Sequence, residues 1–253
     1  HHANEWLTAL VLLKFAEALC QAIAADETIY GIRGAAIAQA ATIYMVPMVN
    51  PDGVDLVTGA LSPDADDFKA ALRLSENYPA IPFPLGWKAN LAGVDLNLQY
   101  PAGWLQAREI KFSQGFTRPG PRDYVGQAPF SQPESRTLAG YTDYVDPALV
   151  LAYHSQGQVI YWQFQDYFVP QARALGEEFA RLSGYKLEDT PYESAFAGYK
   201  DWFIKKFRRP GYTIEVGQGE NPLPLEQFDQ IYRDNLGILI CAALGTPLAS
   251  PQP

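Results

Sequence analysis

Two short apolar runs, each carrying or ending at one polar group, restrict the folds open to this chain. Ala148-Leu-Val-Leu-Ala-Tyr153 reads as a strand and stops at His154-Ser155-Gln156-Gly157. Tyr212-Thr-Ile-Glu-Val216 reads as a second strand, carries Glu215 among apolar neighbours, and runs into Gly217-Gln218-Gly219. Such runs suit strands covered on both faces by helices. Helical patterns alternate with them at residues 4–25, 134–145, 170–183 and 225–244. Together they predict an α/β fold with a mixed, mostly parallel central sheet flanked by helices. Ligands in such folds gather at the carboxyl ends of strands, where His154 and Glu215 both fall. A lone carboxylate inside an apolar strand is costly to bury, so Glu215 calls for a function or a partner.

The rest of the chain narrows the class. Its 253 residues suffice for a sizeable core, and 48% hydrophobic against 19% charged residues exclude a disordered chain. A net charge of −9 argues against nucleic acid and anionic membranes as partners. Segment 6–25 is apolar but broken by Lys14, Glu17 and Gln21, so a core helix is expected and no transmembrane segment. Cys20 and Cys241 both sit in helix-like runs and are expected as buried thiols, not a bridge. Thr42-Ile-Tyr-Met-Val-Pro-Met-Val49 has the shape of a buried strand ended or bent by Pro47. Asn50-Pro51-Asp52-Gly53 follows as a turn. Residues 61–132 show little periodicity, and so long an irregular stretch in a compact domain is expected to carry function.

Histidine is scarce: His1, His2 and His154 are the whole supply. His2-Ala-Asn-Glu5 spaces an imidazole and a carboxylate so that a helical turn aims both at one point. Such a pair and one further histidine make the ligand set of a catalytic zinc site, with a position left for water.

Five short motifs then occur in a telling order: His2-Ala-Asn-Glu5, Asn50-Pro-Asp-Gly53, Lys88-Ala-Asn90-Leu-Ala-Gly93-Val-Asp-Leu-Asn97, Tyr153-His154-Ser155 and Thr213-Ile-Glu215. Asp201-Trp202 precedes Glu215 by a fitting interval. In this the chain resembles the zinc carboxypeptidase family of metallopeptidases across nearly its whole length. The resemblance implies one Zn2+, held by His2, Glu5 and His154, with Glu215 as the general base that later protonates the leaving amine. It implies substrate binding by Asn97 and by Tyr192, which lies within one position of a mobile tyrosine of the family. It also implies a catalytic domain over residues 1–248, lacking N-terminal strands that the family places before H-x-x-E, and a loose tail over 249–253.

Two departures bear on substrate. Lys88 stands where the family has an arginine that polarises the scissile carbonyl, and can act there only as a point charge. Leu98 stands where an arginine clamps the C-terminal carboxylate of the substrate. The phrases His-Ala-Asn-Glu-Trp-Leu-Thr and Gly-Val-Asp-Leu-Asn-Leu-Gln-Tyr-Pro-Ala-Gly-Trp resemble one branch more closely, the bacterial γ-D-glutamyl-L-diamino acid endopeptidases. That branch implies a peptide substrate from cell-wall stems, cut between γ-D-glutamate and meso-diaminopimelate, at the cell envelope or outside the cell. Arg118 and Arg122, in the long middle loop, are candidate partners for its carboxylates. Two alternatives stay open: a carboxypeptidase of other specificity, and a catalytically silent peptide-binding module on the same fold.

Overall fold

The computed structural model describes residues 1–248, and the tail expected at 249–253 lies outside the described residues. A short 3-10 turn (Ala3–Glu5) leads into α1 (Leu7–Ala24). Leu7, Val11, Phe15, Leu19 and Ala22 recur at helical spacing on its buried face, and Lys14 pairs with Glu17 on the outer one. A ribbon of β1 (Thr28–Ile29) and β2 (Ile32–Arg33) turns the chain into α2 (Gly34–Ala40). The middle of the chain holds α3 (Pro51–Thr58), α4 (Asp66–Ser75), α5 (Trp104–Ser113) and α6 (Pro133–Val145). There follow β3 (Val150–Ser155), β4 (Val159–Tyr161), α7 (Ala172–Ser183) and β5 (Lys186–Glu188). α8 (Tyr199–Phe207), β6 (Gly211–Val216) and α9 (Phe228–Leu244) complete the domain.

The main sheet has the order β3-β6-β4-β5. β3 runs parallel to β6 and β4 parallel to β5, while β4 and β6 are antiparallel, so the sheet is mixed and mostly parallel. Side chains alternate between two cores. Val150 and Ala152 of β3 pack with Phe203 and Ile204 of α8, while Tyr153, Ile214 and Val216 pack with residues of α1, α7 and α9. Coverage of both faces explains why these strands read as unbroken apolar runs. The register sets His154 directly beside Glu215. Neighbouring residues in register project from the same face, so the sheet delivers both side chains to one place at its carboxyl end.

α1 is the one described helix long and apolar enough to cross a membrane, and its apolar face packs against α2, α9 and β3. Four expectations need correction. Segment 42–49 forms no strand; it is extended, alternately half-buried and exposed, and separated from the open edge of β3 by a cavity of 770 Å³ that both line. No strand among the described residues bonds to it, so its β-like composition builds no ladder. Asn50-Pro51-Asp52-Gly53 is not a turn but the opening of α3: Pro51 sits in the first turn and the Asn50 side chain accepts from Gly53 N–H at 3.1 Å. The long middle stretch contains α4 and α5, whose periodicity the surrounding prolines and glycines mask. Cys20 is exposed on α1, and Cys241 alone is buried.

Asn50 also donates from Nδ2 to Ala89 O at 2.9 Å, fastening α3 to the segment that follows Lys88. Asn50→Ala removes a helix cap and a buried bond, and is expected to lower unfolding stability by about 1–2 kcal/mol. A urea titration should show an earlier midpoint with an unchanged slope. An unmoved midpoint contradicts the role given to Asn50.

Candidate metal centre

The short turn Ala3–Glu5 brings His2 and Glu5 together, and the end of β3 brings His154 to meet them. His2 Nδ1 lies 2.8 Å from Glu5 Oε1, and His154 Nδ1 lies 2.9 Å from Glu5 Oε2 and 3.2 Å from His2 Nδ1. Ser155 N–H donates to Glu5 Oε2 at 3.2 Å, and Lys88 Nζ sits 3.0 Å from Glu5 Oε1. Glu5 and His154 are buried. Behind His2, Asp95 Oδ1 lies 3.1 Å from Nε2, which ties up that nitrogen and leaves Nδ1 facing Glu5 and His154. His1, the remaining histidine, is turned to the Tyr100 hydroxyl at 2.8 Å.

These donors fit zinc. Two imidazole nitrogens and a carboxylate oxygen lie within 4.8 Å of one another. Zinc bonds of about 2.0–2.1 Å in tetrahedral array put neighbouring donors about 3.3 Å apart, close to the spacing of the two Nδ1 atoms. His154 Nε2 is buried without a hydrogen-bond partner among the described residues, so Nδ1 is the nitrogen through which this ring is held.

Electrostatics agree. Burial pushes the Glu5 carboxyl up, but His2, Lys88 and His154 outweigh it and hold Glu5 well below the usual carboxylate range. Asp95 is likewise lowered against its burial, chiefly by His2. Burial lowers His154 to about 4, leaving a neutral ring. His2 is raised, because Glu5 and Asp95 overcome the effect of burial. Burial first, and the Glu5 carboxylate second, push Glu215 up to about 8. A cation among His2, Glu5 and His154 acts in the opposite sense on Glu215. Its side chain is half-buried, and no hydrogen bond to its carboxyl group is present among the described residues.

The other expected residues are spread around this point. Asn97 Oδ1 accepts from Tyr199 N–H at 3.0 Å, leaving its amide NH2 unspent among the described residues. Leu98 is buried with Tyr100, Trp104 and Phe196. Tyr192 lies in a short 3-10 turn, 71% exposed, edge-on to Phe196 at 5.1 Å. Arg118 is exposed, and its backbone is bound to the Tyr78 hydroxyl. Arg122 is half-buried beside Asp123. Asp201 and Trp202 build α8 instead of the centre: Asp201 accepts from Gly198 N–H at the helix start and pairs with Lys200 at 2.6 Å, and Trp202 packs on Tyr100 and Phe130. Sequence reasoning missed Asp95 and the Ser155 amide. Asp95 stands two places before Asn97 in a motif read for Lys88 and Asn97; the amide carries no side-chain signal at all.

The folded protein should bind about one zinc. Elemental analysis should find it nearly absent in His154→Ala and retained in Glu215→Gln, and Asp95→Asn should weaken affinity by about 10- to 100-fold. Because His2 is raised and must shed its proton to bind metal, affinity should fall as pH drops through the histidine range. Zinc retained in His154→Ala removes that residue from the set.

The family profile described as zinc carboxypeptidase matches residues 1–237. The chain is 44% identical over 241 residues to gamma-D-glutamyl-L-diamino acid endopeptidase 1 of Lysinibacillus sphaericus, a match covering 94% of this chain and 58% of that protein. It therefore spans under two thirds of that relative's length. Murein-tripeptide amidase MpaA of Escherichia coli O157 superposes with a TM-score of 0.58 at 19% identity, over 98% of this chain and 80% of that one. Thrombin activatable fibrinolysis inhibitor gives 0.67 at 17% identity, over 96% of this chain and 59% of that one. At these identities the two structures share a fold. The profile match runs through His2, Glu5, His154 and Glu215 alike, and this chain belongs to the zinc carboxypeptidase family.

Proposed function

We propose that the protein hydrolyses the bond between γ-D-glutamate and meso-diaminopimelate in cell-wall stem peptides. The observation that carries this reading is Leu98. At the position of the family's carboxylate clamp stands a leucine, packed away among aromatic rings. No cation there demands a C-terminal carboxylate, and a peptide continuing past the cleaved bond is tolerated. The specificity named for the Lysinibacillus sphaericus relative supports the same substrate class. Such a substrate places the protein at the bacterial envelope or outside the cell, with α1 as a core helix and not a membrane span.

Zinc held by His2, Glu5 and His154 supplies an acidified water and a polarised carbonyl when bound. Glu215 takes the proton of the attacking water and returns it to the amine leaving from diaminopimelate. The burial that raises Glu215 favours its protonated form, which suits the second half of that task. Lys88 keeps its charge: burial opposes it, but Glu5 more than offsets burial and raises the ammonium above its ordinary value. It faces the oxygen that becomes negative, as a point charge without the fork of an arginine. The spare amide of Asn97 and the ring of Tyr192 hold substrate, and Arg118 and Arg122 are the cations available to its carboxylates.

The wild type should cleave L-Ala-γ-D-Glu-meso-diaminopimelate peptides faster than blocked dipeptides made for C-terminal trimming. Glu215→Gln should reduce turnover by about 10²–10⁴-fold. Leu98→Arg should shift relative activity towards substrates with a free C-terminal carboxylate. A wild type that prefers the blocked dipeptide and leaves every γ-D-glutamyl bond intact contradicts the reading.

A further inference from the structure

The segment bearing Arg122 is stitched to the centre from both sides. Pro121 O accepts from Lys88 N–H at 2.7 Å and from Ala89 N–H at 2.9 Å. Tyr124 O accepts from Asp95 N–H at 2.9 Å, and Asp123 N–H donates to Asp95 Oδ2 at 3.2 Å. Arg122 therefore sits on backbone fixed both to Lys88, which faces the reacting carbonyl, and to Asp95, which orients His2. Its side chain is fixed as well. Arg122 Nε donates to Asp123 Oδ2 at 2.6 Å, and Asp123 Oδ1 pairs with Lys111 Nζ at 2.7 Å. Both Asp123 and Lys111 are 13% exposed, whereas Arg122 is 42% exposed. Asp123 holds a left-handed backbone, φ 64°, uncommon for a residue with a side chain.

This arrangement spends one edge of the guanidinium and keeps the other. Among the described residues, Nη1 and Nη2 have no hydrogen-bond partner. Two parallel N–H donors on a fixed cation match a carboxylate bidentately. Arg118 has no comparable support: its side chain is exposed, and among the described residues no acid pairs with it.

Resting on the proposed γ-D-glutamyl substrate, we infer that Arg122 binds the free α-carboxylate of the glutamyl residue whose γ-carbonyl is attacked, and that Asp123, braced by Lys111, is the residue that aims it. In a γ-linked glutamyl residue that carboxylate lies four bonds from the reacting carbonyl carbon, roughly 5 Å when extended. With the carbonyl oxygen turned to Lys88, Arg122 is an anchored cation with a free fork on the segment that is hydrogen-bonded to Lys88. Asp123 is a positioning residue and touches no substrate. Preorganisation by Asp123 lets Arg122 bind without first losing side-chain freedom.

Two peptides differing in one group test this: L-Ala-γ-D-Glu-meso-diaminopimelate, and the same peptide with the glutamyl α-carboxylate converted to a carboxamide. The wild type should favour the carboxylate form by about 10- to 100-fold in kcat/KM, the span given by a charge-assisted hydrogen-bonded pair. Arg122→Ala should abolish the preference by slowing the carboxylate peptide alone, and Arg122→Lys should restore only part of it. Asp123→Asn should raise KM for the carboxylate peptide, leave its kcat near normal, and leave the carboxamide peptide unaffected. Equal loss on both peptides in Asp123→Asn gives that residue a merely structural role and overturns its part. Equal kcat/KM for the two peptides in the wild type, or a preference that survives Arg122→Ala, overturns the assignment of Arg122 while leaving the substrate class standing. Cleavage of neither peptide by the wild type overturns the substrate class and this inference with it.

Discussion

Glu5 lies within hydrogen-bonding distance of His2, His154, Lys88 and the Ser155 amide, groups drawn from three distant parts of the chain. A carboxylate buried this deeply is expensive unless its charge is answered. Here it is answered by two imidazoles, an ammonium and a backbone dipole, and the N-terminal turn, the end of β3 and the Lys88 loop are thereby committed to one another. Removing any one partner leaves charge exposed to a poorly polarisable interior. Stability and metal chemistry rest on the same few contacts.

The sheet adds what Glu5 cannot. The parallel pairing of β3 with β6 sets Glu215 beside His154 by register alone, with no side-chain contact needed to hold it there. An acid so placed is desolvated by the strand around it and repelled by Glu5, which together push it up to about 8 against the pull of Lys88 and His2. A dication at the three donors reverses that balance. With the ligands occupied, Glu215, the proposed base, would be driven towards its ionised form.

How much of this was legible in the sequence depends on where each signal lies. Glu215 stood out because a strand buried on both faces tolerates no acid without cause, and His154 because it falls at the carboxyl end of its strand. The spacing of His2 and Glu5 allows a metal-binding pair, and their partnership with His154 is what the resemblance to the family implies. Asp95 and Asp123 were not legible, since their roles arise from backbone amides and a loop conformation that no spacing encodes. Segment 42–49 shows the converse failure. Its residues favour a strand, but strand formation is settled by pairing, and among the described residues no strand bonds to it beside the 770 Å³ cavity. The opening of α3 was misread because Asn-Pro-Asp-Gly serves equally as a turn or as a capped helix start, and only the bond from Gly53 N–H to Asn50 distinguishes them.

His2, His154 and Glu5 are proposed to hold a single zinc through two imidazoles and one carboxylate. X-ray absorption at the zinc edge on the metal-loaded protein tests it most directly. Two imidazole nitrogens and further oxygen donors should surround the metal, at about 2.0–2.2 Å and without sulfur. One imidazole, or a sulfur at about 2.3 Å from either cysteine, contradicts it.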